Sequence, residues 1–140
     1  MEKVTELLNS MNSMSTELYA AIYMGVFLVV LGLAPFLAKL LSTDFLTFYK
    51  KRESIRLEGW GTRAEKSVSN LYESLPLFMI LAVIIHMQGL STDTTALGAI
   101  IFCVSRTVHP IAYILNIPPV RTLGYAGGLV GMVMMGLAFI

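Results

Sequence analysis

Leu18–Ala38 reads LYAAIYMGVFLVVLGLAPFLA and carries no charged residue. The hydrocarbon core of a bilayer is about 30 Å thick and takes about 20 apolar residues of helix to cross. This run is therefore long enough to span once. Ser74–Gln88, SLPLFMILAVIIHMQ, is shorter, and a helix beginning near Thr62 would bring it to spanning length. Thr94–Leu115 is a third run, interrupted by Arg106 and His109, and Thr122–Ile140 is a fourth. The reading is four transmembrane helices near 17–41, 64–89, 94–115 and 119–139. Short connections fold them as an all-α antiparallel four-helix bundle in a single domain, 1–140.

Composition points the same way. The 140 residues are 56% hydrophobic and 14% charged, with mean hydropathy +0.72, where a soluble domain carries about 25% charge. A net charge of +1 leaves no basic face for nucleic acid. The single cysteine, Cys103, rules out an intrachain disulfide and has no zinc-site spacing. It reads as a small buried hydrophobe. Residues 1–15 read as a short amphipathic surface helix with Val4, Leu7, Leu8 and Met11 on one side. The first span lacks the small-residue cleavage site of a signal peptide and is kept as a true span.

Lys39, Lys50, Lys51, Arg52, Arg56, Arg63 and Lys66 crowd the first loop and its flanks, against Asp93 alone in the second. The positive-inside rule puts that first loop in the cytoplasm and both termini outside. The short loops lean toward a bacterial inner membrane. Phe45, Phe48, Tyr49 and Trp60 flank the basic loop as interfacial anchors.

Charged groups inside a membrane helix cost several kcal/mol unless paired, so their positions are informative. Asn70 and Glu73 share one face of the second span. Arg106, His109 and Tyr113 share a face of the third. Arg121 and Tyr125, with Thr122 beside them, open the fourth. Given the topology, most of these groups lie within roughly 10 Å of the inner interface, with Arg106 deeper. A Glu73–Arg106 pair could act purely as glue between helices. The full set suits a ligand better: two cations, an anion and several hydroxyls match a small zwitterion with more than one carboxylate. Glutathione has two carboxylates, an ammonium and a thiol, and a nearby Arg lowers a thiol's pKa. No metal site is expected, since His86 lies near the opposite face from His109, and no Ser–His–Asp set falls in this layer.

RAEKSVSNLYESLPLF, Arg63–Phe78, resembles the second-helix signature of the MAPEG superfamily, the membrane-associated proteins in eicosanoid and glutathione metabolism. RTVHPIAY, Arg106–Tyr113, followed by PVRTLGY, Pro119–Tyr125, resembles its third- and fourth-helix signature. The resemblance covers most of 18–140. It implies a homotrimer with glutathione as cosubstrate between subunits, in the cytoplasmic half of the membrane. It implies a transferase or peroxidase acting on lipophilic electrophiles, with membrane lipids around it. Asn70, Glu73, Arg106, His109, Tyr113, Arg121 and Lys66 carry over as glutathione contacts. Arg121, Tyr125 and Thr122 carry over as the groups nearest the thiol, Arg121 stabilising the thiolate. Two positions depart from the pattern. Lys66 stands where members often have arginine, losing the bidentate fork, and Ser69 stands where prostaglandin E synthase has another. Arg63, one turn earlier, is expected to compensate in part. One branch of the superfamily is not enzymatic, so a lipid-binding or scaffold protein of the same fold is the alternative. A transporter would need broken helices or an inverted repeat, and neither is visible.

Two further features bear on packing. Gly124–Gly128, GYAGG, and Gly127–Gly131, GGLVG, are small-xxx-small patterns that admit close helix approach, within or between subunits. Pro35, Pro76 and Pro110 fall inside spans, where each removes a backbone hydrogen bond and can kink its helix.

Overall fold

The computed structural model describes residues 1–140, except the side chains of Met11 and Asn12. Its elements are α1 (Glu2–Asn12), α2 (Thr16–Ser42), α3 (Phe45–Lys51), α4 (Trp60–Met87), α5 (Asp93–Ile114) and α6 (Pro118–Gly136), with single 3-10 turns at Arg52–Ser54 and Leu137–Phe139. Four helices are long and apolar enough to cross a membrane: α2, α4, α5, and α6 with its final turn. The second span starts at Trp60 rather than near 64, because Gly59 takes φ 61° and turns the chain into the helix. Pro35, Pro76 and Pro110 all lie inside continuous helices.

The basic loop contains structure the sequence reading did not anticipate. Asp44 caps α3, accepting from the Thr47 backbone N–H at 3.2 Å. Hydrogen bonding from the Thr47 side chain and then its backbone holds the Asp44 carboxyl below its ordinary value. Lys39 pairs with Glu65 at 2.7 Å, the one ion pair among the described residues. It joins the end of α2 to the start of α4. Helix α1 leaves Val4, Leu7 and Leu8 exposed; Met11 lies outside the described side chains.

Helices α2, α4 and α5 meet around a core of Met24, Phe78, Ala82, Ile85, Ala99 and Phe102. Phe78 and Phe102 stack with centroids 4.0 Å apart. Helix α6 packs on α5 and touches α4 only at an edge. The α5–α6 seam is built on glycine. A Cβ at Gly98 would lie 2.7 Å from the Gly131 carbonyl, and one at Gly131 2.5 Å from the Gly98 carbonyl. Of the two uses open to the glycines of α6, Gly124, Gly128 and Gly131 serve packing within the chain. Cys103 is half-buried rather than buried. It lines an apolar groove of about 500 Å³ between α2 and α5, with Tyr19, Tyr23, Val104 and Thr107.

At the end of the bundle away from the basic loop, Glu17 is fully buried. Its carboxylate accepts from Ser91 Oγ at 2.8 and 3.0 Å and from Thr95 Oγ1. Thr92 and Thr95 form the capping box of α5, so the carboxylate sits at the positive end of that helix. Nearby, His86 Nδ1 accepts from the Ser15 backbone N–H at 3.3 Å, which ties the end of α4 to the start of α2. Glu17→Ala removes the charge-assisted bonds and leaves a cavity, a combined cost of about 2–4 kcal/mol. Glu17→Gln keeps one acceptor and should lose about half as much. Thermal melts in detergent check this order, and an alanine variant as stable as the parent would show that the cluster holds nothing.

Candidate functional site

The α5–α6 seam carries the polar stripe. Arg106 is 1% exposed and His109 4%. The glycines of α6 make room for both: a Cβ at Gly128 would lie 2.5 Å from Arg106 Nε, and one at Gly124 would lie 2.9 Å from His109 Cβ. Without those side chains missing from α6, neither polar group would fit under it.

Arg106 lies with its guanidinium carbon 4.8 Å from the centroid of the Tyr125 ring and 5.8 Å from that of Phe102. Aromatic faces offset part of the cost of burying a cation, but they accept no conventional hydrogen bond. Arg106 Nε and Nη1 are buried with no partner. Glu73 does not supply one: the Glu73–Arg106 pair that would have acted as glue is not formed.

His109 Nδ1 lies 2.8 Å from the Arg121 carbonyl oxygen. A carbonyl can only accept, so Nδ1 carries the hydrogen and donates. In the neutral ring Nε2 then holds the lone pair, and that atom too is buried without a partner. The site thus keeps two donors and one acceptor, all out of water and all unused. Buried polar atoms are nearly always hydrogen-bonded, and leaving one unpaired costs about 1–3 kcal/mol. Three unpaired atoms on adjacent turns of one helix are what a polar ligand would satisfy.

The rest of the set frames this centre. The Arg121 guanidinium lies 4.8 Å from the Tyr113 ring centroid. The His109 ring is 5.9 Å from Tyr113 and 6.1 Å from Tyr125. Thr122 is exposed, and its hydroxyl donates to the Pro118 carbonyl at 3.1 Å, which commits its hydrogen to the helix. On α4, Asn70 is half-buried, while Lys66, Ser69 and Glu73 are exposed. None of these four makes a hydrogen bond or ion pair with the α5–α6 group within the chain. Residues at α5's other flank line the apolar groove, which touches none of the polar set.

One member of the pattern makes a contact that its sequence position does not reveal. Arg63, expected to stand in for the missing arginine charge, donates from Nε to the Ile114 carbonyl at 2.9 Å. Its role was hidden because the partner is a backbone atom in another helix. The bond also fixes depth: it sets the start of α4 beside the end of α5, so Asn70 and Glu73 occupy the same end of the bundle as His109 and Tyr113.

No curated protein and no solved structure matches the chain. A family model described as MAPEG family matches residues 16–140. That match takes in every residue of the site and all four long helices, so the chain belongs to the MAPEG family, membrane proteins of the glutathione and eicosanoid metabolism superfamily.

Proposed function

We propose that the protein is a glutathione-dependent transferase or peroxidase acting on lipophilic electrophiles within the membrane. The observation that carries this reading is the set of unpartnered buried atoms, Arg106 Nε and Nη1 with His109 Nε2. Glutathione complements it: its carboxylates accept from Arg106, and its thiol or amide hydrogens can be received by His109. Glu73 takes the ammonium. Glu73 and Lys66 lie exposed on a membrane-spanning helix, where contact with lipid costs several kcal/mol. Cover by a second copy removes that cost, which supports a homotrimer with the ligand between subunits. The basic first loop supports a cytoplasmic position for this end.

Glutathione, when bound, supplies a sulfur nucleophile. Arg121 favours its thiolate: a cation within about 4–6 Å shifts a neighbouring acid toward its charged form, commonly by one unit or more. In the transferase reaction the thiolate sulfur forms a bond to an electrophilic carbon, and the leaving group departs with the bonding pair. In this reading the Tyr125 hydroxyl donates to the sulfur, whereas the Thr122 hydroxyl must first leave the Pro118 carbonyl.

Calorimetry with glutathione on the detergent-solubilised protein tests the reading, with ultraviolet difference spectra reporting thiolate. Arg121→Leu leaves the Arg121 carbonyl in place for His109, so the fold and the oligomer mass should survive. Thiolate signal and turnover should fall about tenfold or more, one pKa unit being about 1.36 kcal/mol. Arg121→Lys should keep part of both, and Glu73→Gln should weaken glutathione binding. Failure of the parent protein to bind glutathione would overturn the proposal.

A further inference from the structure

The α5–α6 connection is held by a run of backbone hydrogen bonds. Asn116 takes φ 59°, in the left-handed region that glycine usually fills at this position. The Ile117 N–H donates to Ala112 O at 2.8 Å and the Asn116 N–H to Tyr113 O at 3.1 Å, the two bonds of a Schellman turn. The Leu115 N–H donates to Ile111 O, and the Arg121 N–H to Ile117 O opens α6. One carbonyl of the last turn, Ile114 O, is left over by this pattern. Its donor comes from another helix: Arg63 Nε, at 2.9 Å.

Arg63 is on the face of α4 that carries Lys66, Asn70 and Glu73, at helical spacings of three, seven and ten. Ile114 follows Tyr113 and stands close before Arg121, whose carbonyl holds His109 and whose guanidinium stacks on Tyr113. The one bond therefore joins the two halves of the site. The bond lies between α4 and α5, which also pack through the Phe78–Phe102 stack; α6 itself barely touches α4, so its place relative to α4 is relayed through the end of α5.

We infer that Arg63 is a positioning residue: as a donor, not as a charge, it clamps the α5–α6 turn to α4 and sets the spacing between Asn70 and Glu73 on one side and Arg121 and Tyr113 on the other. The significance of this residue rests on the glutathione reading above, but the clamp itself does not.

Two substitutions separate donor from charge. Gln places its Nε2 at the same bond count from the backbone as Arg Nε, keeping a donor without the charge. Met matches the length and has neither. Hydrogen exchange on the detergent-solubilised full chain reads the clamp directly, at the backbone amides of Leu115, Asn116, Ile117 and Arg121. Arg63→Met should speed their exchange about tenfold, as expected for loss of one hydrogen bond to the turn. Arg63→Gln should stay within about threefold of the parent. Glutathione affinity should follow the same order, falling about tenfold in the Met variant. Arg63→Leu provides a second donor-free variant should the Met variant not fold. If both Gln and Met variants lose glutathione affinity while exchange is unchanged, Arg63 acts as a charge and the inference is overturned. Equal exchange in all three proteins overturns it as well. A parent that binds no glutathione, with exchange rising only in the donor-free variants, would leave the clamp standing and remove the glutathione reading alone.

Discussion

Arg106→Met should make the ligand-free protein more stable and abolish its glutathione binding. The two effects have opposite signs, which makes the prediction demanding. Arg106 holds a buried cation with Nε and Nη1 unpaired. The effective penalty for a buried ion is several kcal/mol, and contacts with Tyr125 and Phe102 return about 0.5–2 kcal/mol each. The penalty wins. Met is unbranched and of similar length, so it can occupy the space that Gly128 leaves open without forcing the seam apart. A net gain of about 1 kcal/mol is expected, within the range seen when buried ions are replaced by apolar residues. Binding moves the other way. Two hydrogen bonds from a charged group are together worth roughly 3–6 kcal/mol, so affinity should fall at least about a hundredfold. Thermal melts with and without glutathione read both effects on one sample. A destabilised variant that still binds glutathione would make Arg106 a packing residue and leave the site without its central donor.

What the sequence discloses and what it withholds divide along a physical line. The four spans were legible because a membrane imposes a length, and charge-free runs such as Leu18–Ala38 report it directly. The polar stripe was legible because Arg106, His109 and Tyr113 repeat at helical spacing, and such residues are costly in lipid. Glu17 was not. In sequence it is an acidic residue at the start of the first span, and its partners lie more than seventy positions away, at Ser91 and Thr95. The bond from Arg63 was hidden for the same reason: its partner is the backbone of Ile114, and a carbonyl leaves no mark in a sequence. Helix α3 is too short for a periodic pattern to identify. The motif names Thr122 as a candidate site residue, but only the structure gives its hydrogen bond to Pro118. The glycines of α6 announced a close approach without naming the partner, and that choice depended on how α5 is presented to them.

Gly131→Leu should break the close backbone contact between α5 and α6 and cost more stability than any other substitution considered. Leu is the better helix former, by about 0.8 kcal/mol over Gly, so helix propensity alone predicts a gain. The neighbours decide otherwise. A Cβ at Gly131 would sit 2.5 Å from the Gly98 carbonyl oxygen and 2.8 Å from the Phe102 nitrogen. Both are backbone atoms of α5 and cannot swing aside as a side chain could. Overpacking a tight core costs about 1–3 kcal/mol and occasionally more. Here two helices must part along the whole seam, so at least about 3 kcal/mol is expected. Gly136→Leu is the control in the same helix. Nothing lies within 4 Å of a Cβ there, and that variant should be neutral or slightly more stable. Thermal melts of the two variants give the comparison. The consequences for the site follow from the same geometry. Helix α6 carries Arg121 and Tyr125, and its displacement opens the bond from His109 to the Arg121 carbonyl and lifts Tyr125 off Arg106. Glutathione binding should therefore fall in Gly131→Leu and not in Gly136→Leu, although neither glycine is among the residues proposed to touch the ligand. Equal stability in the two variants would mean that α6 can move off α5 freely, and then the burial of Arg106 and His109 could not be held by the seam.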